Sequence, residues 1–411
     1  MRTTTKVVGL FLALLLLASS ITVGCAKQET TQSRSVTIGE LQTGLITGGA
    51  MYDGFIDYVR YFNKQGGADG VQVKVVMHDT LLSPAEAAKG FQICKDAGAV
   101  LIACPMTSDS KGAAPLANEA KLPLLCSIAN EPMLYPPGYV WSIGPTAGQE
   151  IGTFLHWIAE KDWDWQKMGR PPKILLWDFE SGTADDCATV GEAIAKNLGL
   201  TWLKSEIYPM PFPMDWTPYM KRVQEESPDY IYGVIEQLLT AQSDTGIQLP
   251  AGTKLCYFYG QTYVLIGDYG ERAKGCMALQ EWANPTETDV PGVALMNQLH
   301  AQNKRSTDLS YLNYYNWGFV LGIAACEAIK IAVQDEGYPV TSAAVVRALE
   351  KFDSNLMGMS QQVKFPPGSR QGNNVIRILK VTDDLKEVPL TDWMPTIPLK
   401  ETLKAFGITA E

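Results

Sequence analysis

A chain of 411 residues, 46% hydrophobic and 19% charged, has the composition of a soluble globular protein and is too long for one typical core, so two domains of ordinary size are expected. Its formal charge of −10 makes nucleic acid and anionic membrane surfaces poor partners. None of its eight cysteines forms a C-x-x-C pair and its three histidines lie far apart, which excludes the common zinc spacings.

The chain starts with Arg2 and Lys6 ahead of the unbroken apolar run VVGLFLALLLLA at 7–18. That run is too short to span a bilayer and reads as the hydrophobic region of an export signal. In the following SSITVGCAK, Gly24 precedes Cys25, a pair that resembles the lipobox at which bacterial lipoprotein signals are cut and the cysteine is lipidated. The other reading is an ordinary secretory signal cut near Ala18, with Cys25 a bystander. On the lipoprotein reading, 1–24 is the signal peptide and the polar stretch at 25–35 is a lipidated tether. Loss of Arg2 and Lys6 with the signal takes the formal charge from −10 to −12.

From Val36 onward, short β-rich runs alternate with helical patterns, the signature of an α/β fold built on parallel sheets. The first run meets a helix at the Thr/Gly-rich turn QTGLITGG, residues 42–49. Glycines there let backbone N–H groups approach a ligand, and a helix N-terminus adds partial positive charge, so phosphate is a natural guest. Neither G-x-G-x-x-G nor G-x-x-x-x-G-K-[ST] occurs in the chain, and the turn needs another ligand. The next helix carries Met51, Phe55, Val59 and Phe62 on one face and stops at Gly66-Gly67. After the strand VQVKVV comes SPAE, where Ser83 caps a helix, Pro84 takes its first position and Glu86 completes a capping box. The strand AVLIAC leads through PMTSDS to a helix ending near Lys121, and PLLCS forms a further strand before the turn IANEP.

A second series follows SIGPTAGQ: the helix EIGTFLHWIAEK, the strand KILLWD, a helix over 183–198, the strand LTWLKSEIY, the helix DWTPYMKRVQEE, the strand YIYGVI, a helix from about Gln237 and the strand KLCYFYG. The remainder contains MALQEWA, the long helical run YYNWGFVLGIAACEAIKIAVQ, the helix SAAVVRALEKF, and strands around QQVKF and VIRILKV. It is too short for a third domain and completes the first two. Cysteines 94, 104, 126, 187, 256, 276 and 326 read as buried small hydrophobes, with Cys256 and Cys276 the candidate disulfide in an oxidising compartment.

Taken in order, the lipoprotein signal, VTIGELQTG, YFNKQGGADGVQVKVVMHD, SPAEAAKGFQICKDAGAVLIA and KLPLLCSIANEPML resemble the substrate-binding protein of a branched-chain amino acid type ABC importer, a type I periplasmic binding protein. Asn63 with Gly66, Gly67 and Gly70, a strand, and Asp79 are its best element, and the resemblance runs over about 36–390. Further matches are SPDYIYGVI, NWGFVLGIAACEAIKIA, and QQVKFPPGSRQGNNVIRILKV as the closing hairpin. The resemblance implies two Rossmann-like lobes joined by three hinge crossovers: 36–145 with about 284–355, and 146–283 with about 356–411. The ligand would lie in the cleft between them, at the carboxyl ends of both sheets, where open α/β sheets place ligands on general grounds.

In that cleft the opening turn offers Thr43 and Thr47. Carried over by position, the family's ligand hydroxyl falls on Thr107 with Ser108 beside it, and its contacts after the fourth strand fall on Ala129 and Asn130. In lobe two a tyrosine-glycine pair is replaced by Ser181-Gly182, an aromatic residue by Glu236, and the family's acid for a ligand ammonium aligns near Gly260 or Gln261. Glu236 could replace that acid or serve only the helix start. No H-E-x-x-H or G-x-S-x-G is present, DWDWQK reads as a surface turn, and Asp185-Asp186 as a solvated helix face, so no catalytic residue, metal or cofactor is expected. The expected function is capture of a small polar solute (amino acid-like, amide or small carboxylate) by an exported, lipid-anchored monomer that serves an ABC permease and ATPase. The alternative is a ligand-sensing receptor subunit of the same fold.

Overall fold

The computed structural model describes residues 34–410 apart from Pro211, Gln261 and the side chains at 45 and 46. The signal at 1–24, Cys25, nearly all of the tether and Gln261 lie outside the described residues.

Strands β1 (Ser35–Gln42), β2 (Gln72–Asp79), β3 (Ala99–Cys104), β4 (Leu124–Cys126) and β5 (Val140–Ser142) form a parallel sheet in the order β2-β1-β3-β4-β5. Helices cover it, so β3 is a continuous apolar run rather than an alternating one. The edge strand β5 was not expected, because three residues carry no readable period.

A second sheet holds β6 (Lys173–Phe179), β7 (Thr201–Trp202), β8 (Glu206–Tyr208), β9 (Tyr230–Gly233), β10 (Lys254–Tyr257) and β11 (Met277–Gln280). All pair parallel. The single strand expected over 200–208 is two, β7 and β8, both on β6.

Strands β12 (Asp353–Ser354) and β13 (Val363–Lys364) pair with each other, whereas β14 (Val375–Val381) lies antiparallel to β11 and pairs with β15 (Glu387–Pro389) and β16 (Met394–Pro395). QQVKFPPGSRQGNNVIRILKV is therefore not a hairpin. Its middle is pinned to the first sheet, with Ser142 N donating to Arg370 O and Gly372 N to Ser142 O, both at 2.8 Å. That anchorage makes it a crossover from one sheet to the other. The chain also crosses after β5 and after β11, so three connections join two α/β lobes.

The helix Leu309–Glu336 is long and apolar enough to cross a membrane, but 83% of its most apolar window is buried, largely against Ala50–Lys64. A helix enclosed on all sides needs no polar face. The two helices meet at glycines: a Cβ on Gly318 would stand 1.7 Å from Met51 O, and one on Gly54 2.0 Å from Tyr315 O.

Two local expectations are corrected. Ser83 Oγ does accept from Glu86 N, but the Glu86 carboxylate turns to His78 and Lys89, both at 3.3 Å, so the capping box is half formed. All seven described cysteines are free thiols. Cys256 stands opposite Met277, which leaves Cys276 one residue out of register, where side chains turn to the other face of a sheet.

Candidate functional site

Each sheet ends in loops that open helices, and the two sets of loops face each other. From the first lobe come Pro105 and Met106 after β3, Thr107 and Ser108 in the first turn of Thr107–Ala120, and Ile128 after β4. From the second come Phe179 at the end of β6, Ser181 and Thr183 at the start of Gly182–Leu198, Val234 and Glu236 at the start of Ile235–Thr245, and Tyr257, Phe258 and Tyr259 at the end of β10. Tyr314 and Trp317 reach in from Leu309–Glu336. Together they bound about 600 Å³ of empty space, part of it open to solvent.

The two lobes touch around this space. Thr107 Oγ1 lies 2.7 Å from Thr183 Oγ1, Asn130 Nδ2 donates to Asp186 Oδ2 at 2.7 Å, and Lys111 Nζ bridges to Asp185 at 3.0 Å on the exposed rim. Three helix N-termini open at the cavity, and their first-turn N–H groups lack intrahelical acceptors, which favours a ligand carboxylate or carbonyl. Glu236 is the one charged side chain among the lining residues. Desolvation holds its carboxyl above the ordinary range, against hydrogen bonds from Gln237 and Tyr257. The remaining walls are largely aromatic.

Over residues 42–386 the sequence matches the family described as "Periplasmic binding protein". The chain belongs to that family. A periplasmic binding protein works outside the cytoplasm, so this chain is an exported one. Solved structures agree in fold: a branched chain amino acid ABC transporter protein from Thermus thermophilus with bound valine (18% identity, 90% of this chain and 98% of that one, TM-score 0.78). A substrate binding protein from Aeropyrum pernix matches at 18% identity over 91% and 99%, TM-score 0.74. A solute binding protein from Rhodopseudomonas palustris HaA2 in complex with p-hydroxybenzoic acid matches at 16% identity over 89% and 98%, TM-score 0.72. Among curated proteins none matches by sequence.

In this periplasmic binding protein, Thr107, Ser108, Ser181 and Glu236 are brought together around the cavity. Thr107 is already engaged by Thr183, and Ser181 Oγ caps its helix by accepting from Ala184 N at 3.1 Å. Of the other expected positions, Thr43, Thr47, Ala129 and Asn130 are not among the lining residues. The Ala129 N–H donates to Ser142 Oγ at 3.1 Å, and Asn130 holds Asp186. The opening turn folds into the short helix Gly44–Thr47, with Thr47 Oγ1 donating to Thr43 O at 2.6 Å and Gly44 N to Asp79 Oδ1 at 3.2 Å. Asp186, read from sequence as part of a solvated face, is 3% exposed. Successive helical residues point about 100° apart, so Asp185 faces water while Asp186 faces the other lobe. Sequence reasoning also missed Thr183 and the aromatic wall. The signal for part of that wall was the cluster YFY closing a strand, whereas Tyr314 and Trp317 are distant in the chain.

Proposed function

We propose that this periplasmic binding protein captures a small solute in the cleft and delivers it to an ABC permease and ATPase. The observation that carries this reading is the cavity at the carboxyl ends of both sheets, bounded by both lobes, which meet at the Thr107–Thr183 contact. Its chemistry supports a ligand with an apolar or aromatic body and polar ends: helix N-termini for a carboxylate or amide carbonyl, and Glu236 for an amino group. Amino acid-like solutes, amides and small carboxylates fit that description. Valine and p-hydroxybenzoic acid, bound by two structures of the same fold, belong to the same range. Thr107, Ser108, Ser181 and Glu236 are the proposed contacts, and lobe one comprises 36–145 with about 284–355, lobe two 146–283 with about 356–411.

A thermal-shift screen of L-amino acids, aliphatic amides and benzoates tests the reading. A ligand at a hundredfold excess over Kd stabilises by about 2.7 kcal/mol, and no shift from any of the three classes would refute it. We also propose that the chain is a monomer anchored through lipidated Cys25. Cys25→Ser should then release the folded protein into the soluble fraction, because the acyl chains supply the attachment. Continued sedimentation with membranes at high salt would contradict the anchor.

A further inference from the structure

Two of the seven described thiols stand side by side. Cys104 is the last residue of β3 and Cys126 the last of β4, and the parallel register of the two strands sets them directly opposite each other. Neighbouring strands lie about 4.7–4.9 Å apart, inside the usual Cα separation of about 4.4–6.8 Å across a disulfide. Both side chains point to one face. Cys104 and Cys126 belong with Ile102 and Leu124 to the smaller apolar core under Pro84–Asp96 and Thr107–Ala120, whereas Ala103 and Leu125 between them belong to the larger core on the opposite face. The other cysteines are placed elsewhere. Cys94 shares the smaller core, but its Sγ contacts Val76 O on β2 at 3.5 Å, and β1 separates β2 from β3. Cys187, Cys256, Cys276 and Cys326 all lie in the larger core.

We propose that Cys104 and Cys126 are joined as a disulfide in the exported protein, a staple between the two strands whose ends carry lobe one's part of the cavity wall. Pro105, Met106, Thr107 and Ser108 follow Cys104 directly, and Ile128 lies two residues after Cys126. The bond fixes the spacing of these two loops from beneath. A periplasmic binding protein works where disulfides form and persist. Both thiols are free in the structure, with Cys104 Sγ donating to Met106 O at 3.6 Å, a weak contact that the bond replaces.

Formation is thiol–disulfide exchange. One cysteine thiolate attacks an external disulfide, that of a thiol oxidoreductase or of oxidised glutathione, and the second attacks the resulting mixed disulfide. The Cys104–Cys126 bond closes, and the oxidant leaves as two thiols carrying the two electrons and two protons. Burial holds the Cys104 thiol well above its ordinary range, with Cys126 beside it adding to the effect, so the reactive thiolate is scarce once the core has formed. The exchange therefore belongs to the folding chain, before Pro84–Asp96 and Thr107–Ala120 cover the pair. Afterwards the same cover shields the bond from reductant.

Mass spectrometry on the full chain, exported by a bacterial host and isolated without reductant, tests the staple. The protein is denatured in iodoacetamide and digested. The peptides holding Cys104 and Cys126 should appear joined, two hydrogens lighter than their sum, while Cys94, Cys187, Cys256, Cys276 and Cys326 are alkylated. Alkylated Cys104 and Cys126 overturn the staple, and so does linkage of either to another cysteine. Urea unfolding gives a second measurement: dithiothreitol should lower the wild-type midpoint, since the staple constrains the unfolded chain, and should leave the midpoint of Cys104→Ala with Cys126→Ala unchanged. A wild-type midpoint indifferent to reductant overturns the staple as well. The peptide masses come from the wild-type chain, so they decide even if the double variant does not fold.

Discussion

Glu236 sits in the first turn of a helix, where its charge meets the favourable end of the dipole, yet it also faces a cavity walled by Tyr257 and Tyr314. The second placement is the ground for the ligand role we propose for it, which the first alone would not suggest. Against a ligand with an ammonium group, Glu236→Gln should weaken binding by about 1.5–3 kcal/mol, the range for a hydrogen bond to a charged partner. Against a plain carboxylic acid the same change should be neutral or favourable, and calorimetry with both ligand types separates the cases. Thr107→Ala removes one of the two hydroxyls that join the lobes. Binding should weaken by about 1–3 kcal/mol, because the closed form loses the contact with Thr183 as well as a hydroxyl facing the ligand, and calorimetry measures the loss. Unchanged affinity in Thr107→Ala would move the contact to another part of the cavity wall.

Between elements, the double-glycine segment at 63–67 shows how a local motif positions a sheet. Gly66 and Gly67 adopt positive φ values of 104° and 67°, turning the chain back so that Asn63 meets the next strand edge-on. Asn63 Nδ2 donates to Val73 O and Val73 N donates to Asn63 Oδ1, both at 2.8 Å. Asn63→Ala leaves both backbone groups without that partner and should cost about 1–3 kcal/mol in urea unfolding. The crossing of Leu309–Glu336 over Ala50–Lys64 depends on a different feature. Backbone stands 1.7 Å from where the Cβ of Gly318→Ala would be, so the helices must separate. Overpacking of this kind costs about 1–3 kcal/mol or more, and a urea midpoint equal to wild type would contradict the close crossing.

At the scale of the whole molecule, buried carboxyl groups outnumber buried cations among the described residues, and this sets the direction of the pH response. Burial pushes Glu40 up to about 8, with Asp53 adding repulsion; it pushes Asp109 and Glu281 up to about 7. In the unfolded chain these groups ionise near their ordinary values of 4.5, 3.8 and 4.5. A folded state that retains protons the unfolded state has lost becomes less stable as pH rises. Melting temperature should therefore fall as pH rises from about 4.5 to about 8, and Glu40→Gln should flatten the upper part of that decline. A melting temperature that rises across the window would show that these carboxyl groups are hydrated.

How much of this was legible depended on the range of the interaction responsible. Strand and helix order, the caps at Ser83 and Gly66-Gly67, and the two α/β series are set by neighbours within a few residues, and the sequence carries them openly. The polar loops after β3 and β6 and at the start of Ile235–Thr245 were legible too, since open α/β sheets bind at their strand ends. Three features came only from the tertiary structure. Ser142 pins residues 370–372, separated from it by most of the chain, and so makes a crossover where the family resemblance implied a closing hairpin. Tyr314 and Trp317 line the cavity because their helix is laid against it by glycine contacts with Ala50–Lys64. Asp186 differs from Asp185 only in direction, and burial opposite Glu131 depends on where the other lobe lies, which composition and periodicity do not encode.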